Sequence, residues 1–164
     1  MNDLPLPDDI KKSFTNLEEI MQTGSLSKII SNFEIILENI IQTQNISCDT
    51  NCHIEISPSP SEYSQKIRVN LIIPNQNTPN ILILIKFIPD FPDILTNYMI
   101  EALMLKEKFG DDIKLIYIFH DSNRNIIDGP DYQALIKEMK EKNYIEALLF
   151  LPKDIKKFIE LIRY

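Results

Sequence analysis

Apolar positions in the first forty residues recur at the period of a helix. Ile10, Phe14, Leu17 and Met21 share one face, Asp8 stands where an N-cap belongs, and Gly24 follows the last of them. Residues 8–22 are therefore predicted to form an amphipathic helix. A broader stripe of Ile29, Ile30, Phe33, Ile36, Leu37, Ile40 and Ile41 predicts a second helix over 26–42, capped by Ser25. Its width suits packing against a sheet.

The period then changes to two. His53-Ile54-Glu55-Ile56 alternates like a short, half-exposed strand, and Ser57-Pro58-Ser59-Pro60-Ser61 is a loop. Lys66–Ile73 reads as a second strand, with Ile67, Val69 and Leu71 on one face and Arg68, Asn70 and Ile72 on the other. Residues 74–79 turn the chain. Residues 80–88 are then almost continuously apolar, as expected of a strand covered on both faces.

Helices and strands alternate from there. The pattern gives a helix over 93–109 ended by Gly110, a strand at 113–119, a helix at 132–142, a strand at 145–151 and a helix at 154–162. Such a rhythm implies parallel strands joined by crossovers. The expected fold class is α/β with α+β character in the N-terminal half: three layers, a mixed five-stranded sheet, and the order α-α-β-β-β-α-β-α-β-α. Residues 1–24 are expected to be a helical arm and 25–164 a single domain.

Composition narrows the function classes. A chain of 164 residues has room for one domain with a real core. A formal charge of −7 makes nucleic acid a disfavoured partner, because neutralising phosphates takes a basic surplus. Lys153, Lys156, Lys157 and Arg163 form a local basic group, read as a solvated helix face complementing the helix dipole. No apolar run approaches the roughly 20 residues needed to span a bilayer, and the opening MNDLPLPDDIKK has no secretory pattern. A cytoplasmic protein with no membrane partner is expected.

Cys48 and Cys52 are followed by His53, but a structural zinc site needs about four ligands, so two free thiols are expected. With only Gly24, Gly110 and Gly129 in the chain, a glycine-rich phosphate loop has nowhere to form.

Lys86 is the unusual residue. It lies inside Ile81-Leu82-Ile83-Leu84-Ile85-Lys86-Phe87-Ile88, where an ammonium is expensive to bury without a partner. Either the strand ends there and the side chain reaches Asp90 or Asp93, or Lys86 lines a site at the strand's edge. The arrangement resembles the PD-(D/E)XK, or restriction-endonuclease-like, superfamily over residues 25–164. In that family an acid on one strand and an acid-x-lysine on the next hold Mg²⁺ and position the attacking water.

By that resemblance Lys86 takes the lysine place, Asn70 stands where the first acid belongs and Leu84 where the second does. Glu34 or Glu38 takes the place of a helical glutamate, and the segment 113–162 resembles the tail of Mrr-type members. Leucine offers no ligand and asparagine only a neutral carbonyl, whereas Mg²⁺ favours carboxylates. The resemblance therefore implies a nuclease-like domain with a degenerate site, no cofactor, and a role in binding a protein partner or a second copy of itself. An active nuclease using Mg²⁺ and acids from elsewhere (Glu34, Glu38, Asp90, Asp121) is the alternative.

Phe87-Ile88-Pro89-Asp90-Phe91-Pro92 also resembles the proline-bearing turn of RWD and ubiquitin-conjugating-like domains; RWD domains are likewise interaction modules, and no cysteine stands where a conjugating enzyme would need one. A strand at 113–119 parallel to 81–88 would be incompatible with them. A last group, Asp121, Asp128 and Asp131, follows the next strand, where α/β proteins often place ligands. Asp121, Asn123 and Asn125 have the opening spacing of a calcium loop, but Ile126 and Tyr132 replace its glycine and its glutamate. A solvated turn with Asp131 capping the following helix is the expectation there.

Overall fold

The computed structural model describes residues 6–56, 65–87, 94–123 and 128–163. The elements follow the expected order: α1 (Asp8–Thr23), α2 (Leu26–Thr43), β1 (Asp49–Ile56), β2 (Gln65–Ile73), β3 (Ile81–Ile85), α3 (Ile94–Phe109), β4 (Lys114–His120), α4 (Pro130–Glu141), β5 (Ala147–Leu151) and α5 (Ile155–Ile162). The strands lie in sequence order, β1-β2-β3-β4-β5. β1, β2 and β3 pair antiparallel, whereas β3, β4 and β5 pair parallel. The parallel β3–β4 pair is the arrangement that excludes the RWD-like reading.

Two apolar clusters sandwich the sheet. One joins Ile10, Phe14 and Leu17 of α1 and the stripe of α2 to Phe158, Ile159 and Ile162 of α5, over Leu71, Ile83, Ile85, Ile116 and Leu149. The other joins Ala102 and Leu105 of α3 and Ile136 and Met139 of α4, over Val69, Leu82, Leu84, Leu115 and Phe150. The broad stripe of α2, apart from half-buried Ile30, is thus consumed by the core. The arm helix α1 buries its own stripe in the same cluster. No helix among the described residues is long and apolar enough to cross a membrane.

Several local expectations change. Pro7, not Asp8, precedes α1, and Asp8 sits in the first turn, where its charge favours the helix dipole. Ser25 does cap α2, accepting from the Lys28 N–H at 3.3 Å. β1 starts at Asp49 rather than His53. Asn51, at φ 51°, breaks the pleat inside it. At this outer strand, Lys108 of α3 donates to the Glu55 carbonyl at 2.6 Å.

Gly110 ends α3 at φ 94°, a region that L side chains avoid. Lys106 is buried at 7% exposure and donates to the Asp111 carbonyl at 2.8 Å, pinning the turn into β4. Lys156 and Lys157 fall in the first turn of α5 and do not complement its dipole; of the basic group only Arg163, at the C-cap, does.

β3 is buried on both faces along its whole length, with Leu84 at 0% and Ile85 at 3% exposure. A charge at either position would be taken out of water. Leu84→Lys and Ile85→Asp are each expected to cost about 4 kcal/mol or more and to abolish cooperative unfolding. A soluble variant with a sharp thermal transition would contradict the two-sided burial.

Candidate functional site

The parallel strands β3, β4 and β5 end at one edge of the sheet, and β2, running the other way, begins there. β2 and β3 are paired from Ile73↔Ile81 to Leu71↔Ile83 and then part. Asn70 stands at the fork. Its Oδ1 accepts from the Ile85 backbone N–H at 2.8 Å, so a side chain takes the place of the missing rung. Its Nδ2 donates to Oε2 of Glu34 on α2 at 3.0 Å.

The pleat of β2 slips at this point. Ile67 and Val69 face α3, Arg68 and Asn70 reach Glu34 on α2, and Leu71 also faces the α2 side while Ile72 faces α3. Strict alternation had put Leu71 with Ile67 and Val69, and Ile72 with Arg68 and Asn70. The slip coincides with a gap in the β1–β2 pairing opposite Asn51, between Thr50↔Leu71 and Cys52↔Val69.

Glu34 is buried at 8% exposure, and its Oε2 takes both of these contacts from β2. Besides Asn70, it accepts from Arg68 Nη2 at 3.2 Å. Glu38, one turn along α2, accepts from Gln42 at 3.3 Å, and its charge acts on the Cys48 thiol. Burial first and then Glu38 push that thiol up to about 11; Cys48 and Cys52 are both free.

Lys86 lies on the opposite side of the sheet from Glu34. Its backbone N–H continues the parallel ladder to the Ile118 carbonyl at 2.8 Å, while its side chain turns to α3. There Nζ lies 2.9 Å from both carboxylate oxygens of Glu101 and 4.9 Å from the centre of the Tyr98 ring. Tyr98 donates to the Phe87 carbonyl at 2.9 Å. The Tyr117 hydroxyl lies 3.0 Å from Oε1 of Glu101. Burial, then the Glu101 charge, push the Tyr98 hydroxyl up to about 12, and burial holds Tyr117 well above its ordinary value. Leu84 faces this same side, in the cluster under α3.

The sequence-level candidates are thus divided. Asn70 and Glu34 meet on the α2 side, and Lys86 and Leu84 lie on the α3 side. Asp90 and Asp93 lie outside the described residues. The partner that Lys86 does have, Glu101, was not anticipated. Tyr98 and Glu101 are three apart on a helix and share a face, a weak signal that did not point to a lysine fifteen residues earlier.

Mg²⁺, which the nuclease resemblance implies, does not fit the residues at the fork. The fork holds one carboxylate, Glu34, whose Oε2 already accepts from an amide and a guanidinium. Among the described residues no group of three or more His, Cys, Asp and Glu side chains is arranged to hold a metal ion.

Farther along the same edge, His120 ends β4 at 5% exposure. The Ser122 N–H donates to its Nδ1 at 3.1 Å, which puts the proton of the neutral ring on Nε2. Nε2 is buried without a partner, 3.9 Å from Glu18 of α1. Asp121 accepts from the Lys153 N–H at 3.2 Å and ties the ends of β4 and β5 together. Asp128 is exposed in a turn. Gly129 is the N-cap of α4 and Pro130 its first residue, so Asp131 lies inside the first turn and not at the cap.

No protein-family model matches the chain, and no curated protein matches it. Among solved structures, the restriction endonuclease PspGI in complex with substrate DNA is similar over 93% of this chain and 74% of that one, with 21% identity and a TM-score of 0.47.

Asn70→Leu should strand the Ile85 N–H and weaken the hold on Glu34, costing about 2–3 kcal/mol in urea unfolding. Asn70→Asp keeps the acceptor but sets a second carboxylate beside Glu34, so it should melt lower at neutral pH and recover on acidification. His120 supplies a separate pH effect. Burial depresses its folded pKa below 6.5, against the opposing pull of Asp121 and Glu18. The unfolded chain therefore binds the proton first, and stability should fall as pH drops below about 6.5 toward the depressed value. In His120→Gln that part of the decline should vanish; an unchanged profile would show that His120 is not its source.

Proposed function

We propose that this chain is a nuclease-like domain without metal-held chemistry, acting as a protein-interaction or assembly module. One observation carries the reading: Glu34 is committed to Arg68 and Asn70, while Lys86 is held by Glu101 across the sheet. An acid pair and a lysine converging on one water is the arrangement that hydrolysis of this kind needs. Here the acid positions on the strands hold Asn70 and Leu84, and the one carboxylate and the lysine are neutralised separately. The element order, a helix, a three-stranded meander, a helix and a parallel strand, supports the nuclease-like half of the proposal. The charge of −7 and the exposure of Leu26 beside the fork, at 55%, support a protein partner over nucleic acid.

The test is incubation of the purified chain with labelled duplex DNA and Mg²⁺ or Mn²⁺. No metal-dependent product is expected, from the native chain or from Lys86→Ala. Cutting that disappears in Glu34→Gln or Lys86→Ala would establish the enzyme instead and overturn the module.

A further inference from the structure

We propose that α1 is an acid-sensitive lid, hinged at Gly24, which lifts off the end of β4 when the His120 ring takes up a second proton. This goes beyond the interaction-module reading and does not depend on whether the domain cuts DNA.

The geometry of α1 is that of a separable element. It adds no strand to the sheet, and its buried side chains are Ile10, Phe14 and Leu17. Among the described residues its side-chain hydrogen bonds stay within the helix, and its one polar approach to the rest of the molecule is Glu18 to His120. Toward its C-terminal end a cleft of about 520 Å³ opens, with Glu18, Met21 and Gln22 on one side and His120, Asp121 and Ser122 on the other. Only Gly24 and Ser25 join α1 to α2. A Cβ at Gly24 would lie 2.7 Å from the Ile20 carbonyl oxygen, so a larger residue cannot hold the closed angle between the helices. A helix held by three apolar side chains and no ladder can open locally, apart from the core.

The ring beneath it is arranged for the neutral state. Nδ1 accepts from the Ser122 N–H, so a proton added there would set two donors face to face. Nε2 is buried without a partner, and α1 lies over it, with Glu18 3.9 Å away. Around the ring α2 offers Phe33, β5 offers Leu151, and the turn after β4 offers Asp121 and Ser122. Lys153, in the loop after β5, is tied to that Asp121. Burial works against a charge on the ring and outweighs the attraction of Asp121 and of Glu18, whose side chain is 57% exposed and screened by water. A ring uncovered by the lifted helix regains water and binds its proton near the ordinary value of 6.5. The open form therefore holds the proton more tightly than the closed one, and acid favours it.

The experiment is hydrogen exchange of the full chain, read peptide by peptide between about pH 7.5 and 5 and corrected for the intrinsic pH dependence of amide exchange. At neutral pH α1 should be less protected than β3 and β4. Below about pH 6.5 its protection should fall, by about tenfold per pH unit at most, until the depressed value of the closed ring is passed. In His120→Gln that fall should vanish. Glu18→Gln removes an attraction that favours the closed, protonated form, so it should enlarge the loss in acid and leave neutral pH unchanged; it serves alone if His120→Gln does not fold. Gly24→Ala should speed exchange of α1 at every pH while β3 and β4 hold.

Protection of α1 equal to that of β3 and β4 would show that the helix opens only with the whole molecule, and would overturn the lid. So would protection that stays constant or rises in acid, the latter marking Glu18 as a clamp. A fall in acid that persists undiminished in His120→Gln would remove the ring as the trigger.

Discussion

The fork between β2 and β3 depends on one amide. A central strand buried on both faces has no water to satisfy its backbone, so every N–H must find a protein acceptor. Where β2 leaves β3, the Ile85 N–H would be orphaned, and the side-chain oxygen of Asn70 meets it. The same side chain has a donor left over, and that donor requires an acceptor on α2. Glu34 supplies it, and Arg68 then offsets the charge that Glu34 brings inside. Three polar residues in an otherwise apolar region thus follow from a single opening in the ladder.

Lys86 obeys the same logic from the other direction. The strand ends one residue before it, but the parallel ladder to β4 continues through its backbone. The ammonium is therefore held close to the sheet, where α3 provides Glu101 and the face of Tyr98, and β4 provides Tyr117. The two ion pairs sit back to back across the sheet. Each makes sense as a local solution to burial, and neither needs the other.

Much of the architecture was legible because it rests on long apolar patterns. The stripe of α2, the unbroken run of β3 and the strand–helix alternation after it have few alternatives, and the antiparallel-then-parallel sheet follows from them. The fork was not legible, because alternation assumes a regular pleat. Arg68 to Ile72 alternate cleanly on paper, yet the strand slips at Asn70, where a side chain replaces a rung. Nothing in residue spacing encodes that substitution. β1 was read short for a related reason: Asn51 in a left-handed conformation lets Asp-Thr-Asn continue a strand where those residues ordinarily close a loop. Lys86 could be recognised as anomalous from its neighbours, but its counter-ion came from a helix whose face toward β3 is decided only by packing.

The contact between Lys108 and the Glu55 carbonyl has a consequence for how copies of this molecule can meet. Peripheral strands invite other chains to add themselves, rung by rung, and that invitation underlies much unwanted aggregation. A lysine parked on a carbonyl of the outer strand, itself already distorted at Asn51, works against it on this flank. Any newcomer at this edge would have to displace a cation and straighten a kink before making its first rung.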